Sequence, residues 1–559
     1  MLTLRPHAAP VPLMPGGPEI GPAGDIPPAL ATPRRPRSAI ARAPAIVWVP
    51  ALLVTGLVAL PLVYLVLRAI ETGAGIWPLL FRSRTAAIAG NTALLATAVA
   101  VSTTMIAVPL AWLTARTDLP GRRFWATAAA LPLVIPSYVG ALAIVAALGP
   151  KGIVQGWLEP LGVERLPSIY GFWGSWLALS LFTYPYVLLV VRAGLQGLDP
   201  GLEEASRCLG QGAWRTFLFC TLPQLRPAIA AGALLSALYT IGEFGVVAML
   251  RYDAFTRAIY TQYRSALDRS GAAVMALLLV LFAGLVLIVE ARVRGRATLH
   301  RVGGGAARAA RPIPLGRWRW PAVAFCGGVI GMALGLPLAV LSYWLAREAG
   351  EGLVVTELAT AARHSVTVAG WVALVATAGA LPVAILSVRY RGWLGRLAER
   401  TSLLSYALPG IAVALAFVAF GVRTPFHQTL PLLVLACVVR FLPEAVGALR
   451  VSLLQVNPRL EEAARGLGAT SANAIRRVTV PLVRPGVLTG AALVMLTTLK
   501  ELPVTLLLSP TGYPTLATEI WRHASEAAYG QAAAPALLLV LLSAVPTLLL
   551  AVRGRGAGG

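Results

Sequence analysis

Two copies of one acidic phrase are the first residues in this chain that could do chemistry. GLEEASRCLG occupies residues 201–210 and RLEEAARGLG occupies residues 459–468. Paired carboxylates can act as general acid and base in hydrolysis. The sequence, however, contains no carboxylate pair placed for that role, no nucleophilic Ser or Cys beside a base, and no dinucleotide-binding loop. We therefore predict that the chain is not an enzyme.

Two further glutamates lie within strongly apolar sequence. Glu243 is in YTIGEFGVV and Glu501 is in TTLKELPVTLLL, at equivalent points after the two acidic phrases. An ionisable residue inside a membrane marks a functional site by default, so both glutamates are candidates for lining a translocation pathway. The alternative is that they brace the interface between two halves of the protein by pairing with Lys500 or with backbone groups. Both interpretations stay open.

The elements that must position these residues are membrane helices. The 559-residue chain is 57% hydrophobic and 13% charged, with a mean hydropathy of +0.74, which is too apolar for an ordinary soluble globule. Apolar runs long enough to cross roughly 30 Å of hydrocarbon recur along it, so we expect an all-α membrane protein with about twelve transmembrane helices. The expected spans are 46–67, 87–114, 126–148, 173–191, 228–250, 272–290, 321–344, 364–388, 401–421, 429–449, 486–508 and 532–552.

The basic residues indicate the orientation of these helices and argue against one class of partner. The chain carries 47 Lys and Arg against 23 Asp and Glu, a formal charge of +24. If both termini are cytoplasmic, most of the basic residues fall in cytoplasmic segments, as the positive-inside rule requires. They are dispersed among short loops next to membrane spans, so nucleic acid is not an expected partner.

The chain duplicates one six-helix unit. From Pro185 to Glu243 the two copies align at a constant offset of 258 residues, and from Pro109 to Pro136 the offset is 273 residues, because the first copy has a longer outer loop around residues 151–170. An even number of helices per unit keeps the copies parallel, so both phrases face the cytoplasm. Aligned pairs include Arg116 with Arg389, Pro136 with Pro409, Arg192 with Arg450, and Glu243 with Glu501. We divide the chain into a disordered cytoplasmic tail (1–45), a first repeat (46–291), a cytoplasmic linker (292–319), a second repeat (320–553) and a C-terminal tail (554–559).

Each acidic phrase has the sequence signals of a short helix. Asp199-Pro200 and Asn457-Pro458 supply an N-cap followed by a proline suited to the first helical position, and the glutamates sit in the positive first turn. Gly210 and Gly468 supply the C-terminal stop. In the first copy Leu202, Ala205 and Leu209 share one face, since residues i, i+3 and i+7 lie together on a helix.

These phrases resemble the EAA loop of the permease subunits of binding-protein-dependent ABC importers. The likeness covers EEASRCLGQGAWRTFLFCTLPQLRP and EEAARGLGATSANAIRRVTVPLVRP, and the first copy departs from the pattern at Ser206, where a small residue is kept. The residues that the resemblance assigns to ATPase coupling are Glu203, Glu204, Ala205, Gly210, Glu461, Glu462, Ala463 and Gly468.

The resemblance implies a type I ABC importer permease fold and a division of labour between chains. Each EAA helix would dock in a groove of one subunit of an ATPase dimer, whose closure on ATP would rock the two membrane halves. Lys151 and Lys500 are not followed by Ser or Thr, so the chain has no Walker A loop. The partner ATPase would therefore bind ATP and Mg²⁺, and this chain would need no cofactor. A separate periplasmic or lipid-anchored binding protein would deliver the solute to the bacterial inner membrane.

The last part of the second repeat suggests the solute. TLKELPVTLLLSPTGYPTLATEIWRHASEAAYGQAAAPALLLV resembles the iron(III) permeases among the fused members of this family. Thiamine and phosphonate permeases share the fused layout and remain open, and a secondary transporter driven by an ion gradient is a further alternative. The five histidines form no spaced cluster of metal ligands, so no resident metal is expected.

Overall fold

The described part of the chain is built almost entirely from helices. The computed structural model describes residues 43–556, apart from 72, 74–76, 79–80, 151, 164, 265–268, 296–311, 349–354, 391 and 406–407. Within those residues there is no β-strand, and an isolated bridge pairs Thr117 with Ile313. The all-α prediction is confirmed. Nearly all of the predicted tail and most of the predicted linker lie outside the described residues, so those assignments stay predictions.

The first half begins with a long apolar helix and ends with another. Its helices are α1 (Ala45–Glu71), α2 (Ser83–Arg116), α3 (Arg122–Ala128), α4 (Ser137–Leu148), α5 (Ile153–Leu158), α6 (Phe172–Gly197), α7 (Pro200–Cys208), α8 (Ala213–Gly242), α9 (Gly245–Met249), α10 (Phe255–Arg264) and α11 (Arg269–Gly295).

The second half repeats this order with small changes. Its helices are α12 (Gly316–Glu348), α13 (Val355–Arg389), α14 (Trp393–Leu404), α15 (Gly410–Val422), α16 (Leu430–Gln455), α17 (Arg459–Gly466), α18 (Ser471–Leu482), α19 (Arg484–Leu499), α20 (Pro503–Leu508), α21 (Leu516–Ser525) and α22 (Tyr529–Gly556). The continuous α8 corresponds to α18 and α19 together, which meet at a bend of 67°.

Ten helices within the described residues are long and apolar enough to cross a membrane, or eleven if α18 and α19 count as one bent span. Counting the bent pair, eleven of the twelve expected spans correspond to these helices. The missing span is 401–421, whose apolar part is the 13-residue helix α15. At 1.5 Å per residue, such a helix is too short to cross a bilayer alone.

Four of the expected spans are interrupted. Spans 126–148 and 401–421 break at Pro136 and Pro409, which have extended backbone angles immediately before α4 and α15. A proline also disfavours helical angles at the residue before it, which explains why Ile135 is extended. Spans 228–250 and 486–508 break next to Glu243 and Glu501, which separate α8 from α9 and α19 from α20.

Each half has a three-helix nucleus, and the first helix of each half packs on the other half. The nuclei are α2, α6 and α8 in the first half and α13, α16 and α19 in the second. Helix α1 packs against α13, α14 and α15, while α12 packs against α4 and α22. Two buried apolar cores result, and each contains residues from both halves. This exchange of first helices joins the halves into one body.

Small residues allow close helix crossings inside each nucleus. A Cβ atom added to Gly232 in α8 would lie 3.0 Å from the Cα atom of Val187 in α6. The equivalent Gly490 in α19 faces Ala445 in α16, where the corresponding distance is 3.2 Å. Packing against small residues is the usual basis of helix association in lipid, where the hydrophobic effect between helices is weak.

We expect Gly232→Val to lower the apparent melting temperature of the purified protein, because the added side chain meets backbone rather than a movable side chain. Overpacking of this kind costs about 1–3 kcal/mol. The matched control is Gly284→Val in α11, where an added Cβ meets nothing within 4 Å. Equal melting temperatures for the two variants, followed by tryptophan fluorescence, would contradict the close crossing.

Candidate functional site

Glu243 and Glu501 occupy equivalent breaks in the helices that follow α7 and α17. In each case a side-chain oxygen of the glutamate accepts a hydrogen bond from the backbone N–H three residues later, at Val246 and at Val504, both at 3.2 Å. The backbone carbonyls of the two glutamates accept from Thr256 at 2.6 Å and from Thr505 at 2.8 Å. The glutamates therefore satisfy polar backbone groups that the breaks would otherwise expose.

The first residues of α15 and α9 lie beside the two carboxylates. A Cβ atom added to Gly410, the first residue of α15, would lie 2.7 Å from Oε1 of Glu501. A Cβ atom added to Gly245, the first residue of α9, would lie 3.3 Å from Oε1 of Glu243 and 3.3 Å from Cδ2 of Leu502. The two breaks thus meet at the interface between the halves. Positive helix N-termini are suitable neighbours for carboxylates.

Glu501 pairs with an arginine that sequence reasoning missed. Arg440 on α16 donates from Nε to Oε2 of Glu501 at 3.0 Å and from Nη1 to the carbonyl of Leu408 at 2.9 Å. Glu501 is only 6% exposed. Lys500, the expected partner, instead donates to the carbonyl of Leu133 in the other half at 3.0 Å. The bracing interpretation of Glu501 therefore has structural support, but through Arg440 and the backbone rather than Lys500.

Glu243 differs from Glu501 because no Lys, Arg or His of the described chain lies within salt-bridge distance of it. The position equivalent to Arg440 is Phe182, and the position equivalent to Lys500 is Gly242. The charges of this region therefore lie mostly in the second half of the chain.

A third carboxylate of this region lies on α16. Glu444 on α16 accepts a hydrogen bond from Thr497 at 2.9 Å. The equivalents of Glu444 and Thr497 in the first half are two aromatic residues, Tyr186 and Tyr239, whose rings lie 5.3 Å apart. We call Glu243, Arg440, Glu444, Lys500 and Glu501 the central cluster, which holds three carboxylates and two basic groups.

Aromatic side chains from both halves close over the central cluster on the side of α10 and α21. The ring centroid of Phe244 lies 4.9 Å from that of Tyr260 and 5.3 Å from that of Trp521. Tyr260 and Trp521 occupy matching positions on α10 and α21, and their rings are 6.2 Å apart. Phe244 is fully buried.

The two short helices α7 and α17, here called the coupling helices, have the predicted ends. Asp199 accepts from the N–H of Gly201 at 2.9 Å, and Asn457 accepts from that of Arg459 at 3.0 Å. Gly210 follows α7 with a φ of +80° and Gly468 follows α17 with a φ of +90°, which is the left-handed conformation expected of a glycine stop. Helix α17 begins at Arg459, and Pro458 just before it already has right-handed helical backbone angles.

The first glutamate of each acidic phrase turns inward and pairs with an arginine. Glu203 lies 3.6 Å from Arg116 at the end of α2 and accepts from Thr221 at 3.0 Å. The partner of Glu461 is Arg389 at the end of α13, and their atoms are 2.9 Å apart. We call these two ion pairs the clamps. They connect each coupling helix to the longest helix of its half.

The rest of each acidic phrase faces solvent. Glu204 and Glu462 are exposed, and so are Ala205 and Ala463. The leucines before the terminal glycines project furthest: Leu209 is 84% exposed and Leu467 is 91% exposed. An exposed leucine repeated at both copies, beside small residues, is what a docking surface would present. The sequence analysis assigned both glutamates of each phrase to ATPase coupling. In the structure the first of each pair faces the protein interior and the second faces solvent.

The repeat alignment already contained a signal for the clamps. Arg116 aligns with Arg389, and Arg192 aligns with Arg450. The sequence analysis proposed no role for any of the four. The second pair fastens the helices α3 and α14: Arg192 donates to the carbonyl of Ala126 at 3.2 Å, and Arg450 pairs with Glu399. A basic residue retained in both copies therefore identified a structural contact. Arg440 and Glu444 have no such counterpart, so the repeat could not reveal them.

Comparisons with known proteins agree with this architecture. A family model described as binding-protein-dependent transport system inner membrane component matches residues 107–295 and 376–556. The Fe(3+)-transport system permease protein FbpB 2 of Haemophilus influenzae is 33% identical over 501 residues, which cover 88% of this chain and 95% of that protein. The Ferric transport system permease protein FbpB of Actinobacillus pleuropneumoniae is 24% identical over 437 residues, covering 74% and 64%. The Molybdenum transport system permease protein ModB of Escherichia coli (strain K12) is 31% identical over 192 residues, covering 32% and 80%.

We expect Glu203→Gln to loosen α7, because it removes the charge that pairs with the buried Arg116. Leaving a buried polar group poorly satisfied costs about 1–3 kcal/mol. Hydrogen exchange of the backbone amides in α7 should therefore become faster. Glu204→Gln is the matched control, since Glu204 is exposed and should leave exchange unchanged. Equal exchange in the two variants would show that the clamp does not hold α7.

Proposed function

The chain belongs to the binding-protein-dependent transport system inner membrane components, and from this membership we propose that it is the complete permease of an ATP-driven importer of ferric iron. The observation that carries the proposal is the likeness to the Haemophilus Fe(3+)-transport permease, which extends over 88% of this chain and therefore includes both halves. Membership of the family also argues against the ion-coupled secondary transporter.

The charges at the interface between the halves favour a cationic solute. The central cluster holds the carboxylates of Glu243, Glu444 and Glu501 against the basic groups of Arg440 and Lys500, so carboxylates are in excess. An oxyanion would be bound more favourably at a site where basic groups outnumber carboxylates. This distinguishes the proposal from the molybdenum permease, which aligns with only 32% of the chain.

We assign ATP hydrolysis to a separate dimeric ATPase that docks on the coupling helices. The exposed faces of α7 and α17 supply an apolar residue, Leu209 or Leu467, next to a glycine that leaves the surface open. In this assignment Glu204, Ala205, Glu462 and Ala463 contact the ATPase, while Glu203 and Glu461 transmit its movement through the clamps. ATP and Mg²⁺ bind to the ATPase, and this chain needs neither cofactor nor resident metal.

The same assignment sets the orientation of the protein in the bacterial inner membrane. The coupling helices and both termini face the cytoplasm, and α10 and α21 face outward toward a periplasmic or lipid-anchored binding protein. These two outer helices carry mixed charge, including Arg257 paired with Asp253, and Arg522 with Glu519. A mixed-charge surface is suited to docking a protein through complementary potentials.

Transport in this scheme alternates access to Glu243 and Glu501 from the two sides. Closure of the ATPase dimer moves α7 and α17 together, and the clamps carry that movement into α2 and α13. The two nuclei then change their relative angle at the interface where the helix breaks meet. Glu243 lies on the path with its charge unpaired, whereas Glu501 is held by Arg440.

We expect the double variant Leu209→Asp with Leu467→Asp to assemble in the membrane but to lose copurification with the ATPase, because two charges replace the apolar contacts. Truncation or replacement of a central interface residue commonly costs about 2 kcal/mol or more in binding. The matched control is Leu161→Asp, at a leucine that is 75% exposed at the opposite end of the protein. Undiminished ATPase recovery with the double variant would place the ATPase elsewhere.

The substrate assignment is tested with vesicles that contain the permease, its ATPase and its binding protein. We expect ATP-dependent accumulation of radioactive ferric iron, and no accumulation of thiamine or of a phosphonate offered with the same components. Accumulation of thiamine or a phosphonate in place of iron would overturn the substrate assignment while leaving the permease assignment intact.

A further inference from the structure

Two short segments at one end of the protein share a sequence pattern that the internal repeat does not explain. Residues 119–125 read LPGRRFW and residues 314–320 read PLGRWRW. In each segment a glycine is followed by two arginines and two aromatic residues. The first segment leads into α3 and the second leads into α12.

Backbone hydrogen bonds hold the two segments side by side. The N–H of Ile313 donates to the carbonyl of Arg116 at 2.8 Å, and the N–H of Asp118 donates to the carbonyl of Ile313 at 3.1 Å. The carboxylate of Asp118 also accepts from the N–H of Leu315 at 2.8 Å. The chain that enters the second half is therefore fastened to the end of α2, directly before α3.

Helix α3 then lies against α12. A Cβ atom added to Gly327 of α12 would lie 3.7 Å from the ring of Trp125. The indole N–H of Trp125 donates to the carbonyl of Pro120 at 2.9 Å, which fixes the ring beside the turn before α3. Gly121 and Gly316 turn the chain just before the arginines, with φ angles of +66° and +53° that glycine adopts without strain.

The arginines of the two segments form a basic surface without acidic partners. All four are exposed, and within the described part of the chain none of them is in a salt bridge. The neighbouring Asp118 already accepts the N–H of Leu315. The four residues are Arg122, Arg123, Arg317 and Arg319.

Exposed aromatic side chains accompany these arginines. Phe124 is 64% exposed, Trp318 is 63% exposed and Trp320 is 73% exposed. Tryptophan at the end of a membrane helix typically sits at the level of the lipid headgroups. Helix α12 has 33 residues and is therefore about 50 Å long, which exceeds the roughly 30 Å of the hydrocarbon core. We call the four arginines and these three aromatic residues the basic patch.

We propose that the basic patch binds the headgroups of anionic phospholipids. A guanidinium group can pair with a phosphate through two parallel hydrogen bonds. Clusters of four or more basic residues beside a membrane helix are typical of anionic lipid recognition. The aromatic rings would lie among the headgroups around the phosphate.

The position of the basic patch identifies the leaflet. Arg116, whose carbonyl binds the N–H of Ile313, also forms the clamp with Glu203 of α7. The basic patch is thus at the same end as the coupling helices, which is the cytoplasmic end in the orientation proposed above. The lipid site is additional to the proposed transport function and does not depend on which solute is carried.

The second half offers a matched control surface. Helix α14, the counterpart of α3, carries two exposed arginines, Arg396 and Arg400, that are in no salt bridge within the described residues. Their neighbour Glu399 pairs with Arg450. Replacing Arg396 and Arg400 by glutamine removes the same charge, at the same end of the protein, as replacing Arg122 and Arg123.

The first test measures lipid affinity. Purified full-length protein in neutral detergent is titrated with phosphatidylglycerol or with zwitterionic phosphatidylcholine of the same acyl chains, and bound lipid is counted by native mass spectrometry. We expect tighter binding of phosphatidylglycerol. Its affinity should fall by on the order of tenfold in Arg122→Gln with Arg123→Gln, and equally in Arg317→Gln with Arg319→Gln, because basic groups near the membrane surface attract anionic lipid.

Two controls make this result specific. Arg396→Gln with Arg400→Gln should leave the affinity for phosphatidylglycerol unchanged. Arg317→Lys with Arg319→Lys keeps the charge and should retain the preference for the anionic lipid. Equal affinity of the unaltered protein for the two lipids, or an equal loss in the α14 variant, would overturn the proposal.

The second test locates the bound lipid. Vesicles containing the protein and a photoactivatable phosphatidylglycerol are irradiated, and the cross-linked peptides are mapped. We expect cross-links at residues 118–125 and 312–320, and no displacement of the lipid by an excess of inorganic phosphate. Cross-links only elsewhere, or displacement by phosphate, would contradict a headgroup site. Loss of ATPase copurification in both patch variants, with unchanged affinity for phosphatidylglycerol, would assign these arginines to the ATPase instead and overturn the lipid site.

Discussion

The central region depends on one constraint, which is that lipid cannot satisfy a free backbone N–H or C=O group. Helices α8 and α19 nevertheless end inside the apolar part of the chain, at Glu243 and Glu501. Each glutamate accepts a backbone N–H with its side chain, and a threonine satisfies its backbone carbonyl. Breaks made in this way must be surrounded by protein. The exchange of α1 and α12 between the halves provides part of that enclosure, because α1 packs against α13 of the second half and α12 packs against α4 of the first.

The two halves of the duplicated chain are more alike in their backbone structure than in the charged residues that they carry. The breaks, the coupling helices and the clamps recur in both copies, but Phe182 and Gly242 stand where the second half has Arg440 and Lys500. Two identical halves would place like charges opposite one another near a common axis, where they repel. A fused chain can instead place a lysine on one side and a carbonyl acceptor on the other. The hydrogen bond from Lys500 to Leu133 uses that freedom and ties the halves together.

Hydropathy and the internal repeat predicted the membrane helices, the coupling helices and the glycine stops, because these depend on local sequence. They did not predict the four interrupted spans, since an apolar run has the same hydropathy whether or not its backbone is continuous. Pro136 and Pro409 were visible signals, yet prolines such as Pro109 and Pro382 lie inside unbroken helices. The inward turn of Glu203 was also beyond the sequence alone, because its partner Arg116 comes from another helix that only the tertiary fold brings close.

The contacts of the two halves indicate where the protein can move. Within a half, α2, α6 and α8 pack closely and the clamp fixes α7 to α2, so a pull on α7 acts on the whole nucleus. Protein interiors packed in this way transmit displacement rather than absorb it. Between the halves, the side chains near the breaks meet through the Lys500 hydrogen bond and through the ring contacts of Phe244 and Tyr260 with Trp521. Such contacts can separate without breaking a helix, because stacked rings contribute only about 0.5–1.5 kcal/mol per pair beyond their burial. The rigid nuclei and this weaker junction therefore favour movement at the place where the two helix breaks meet.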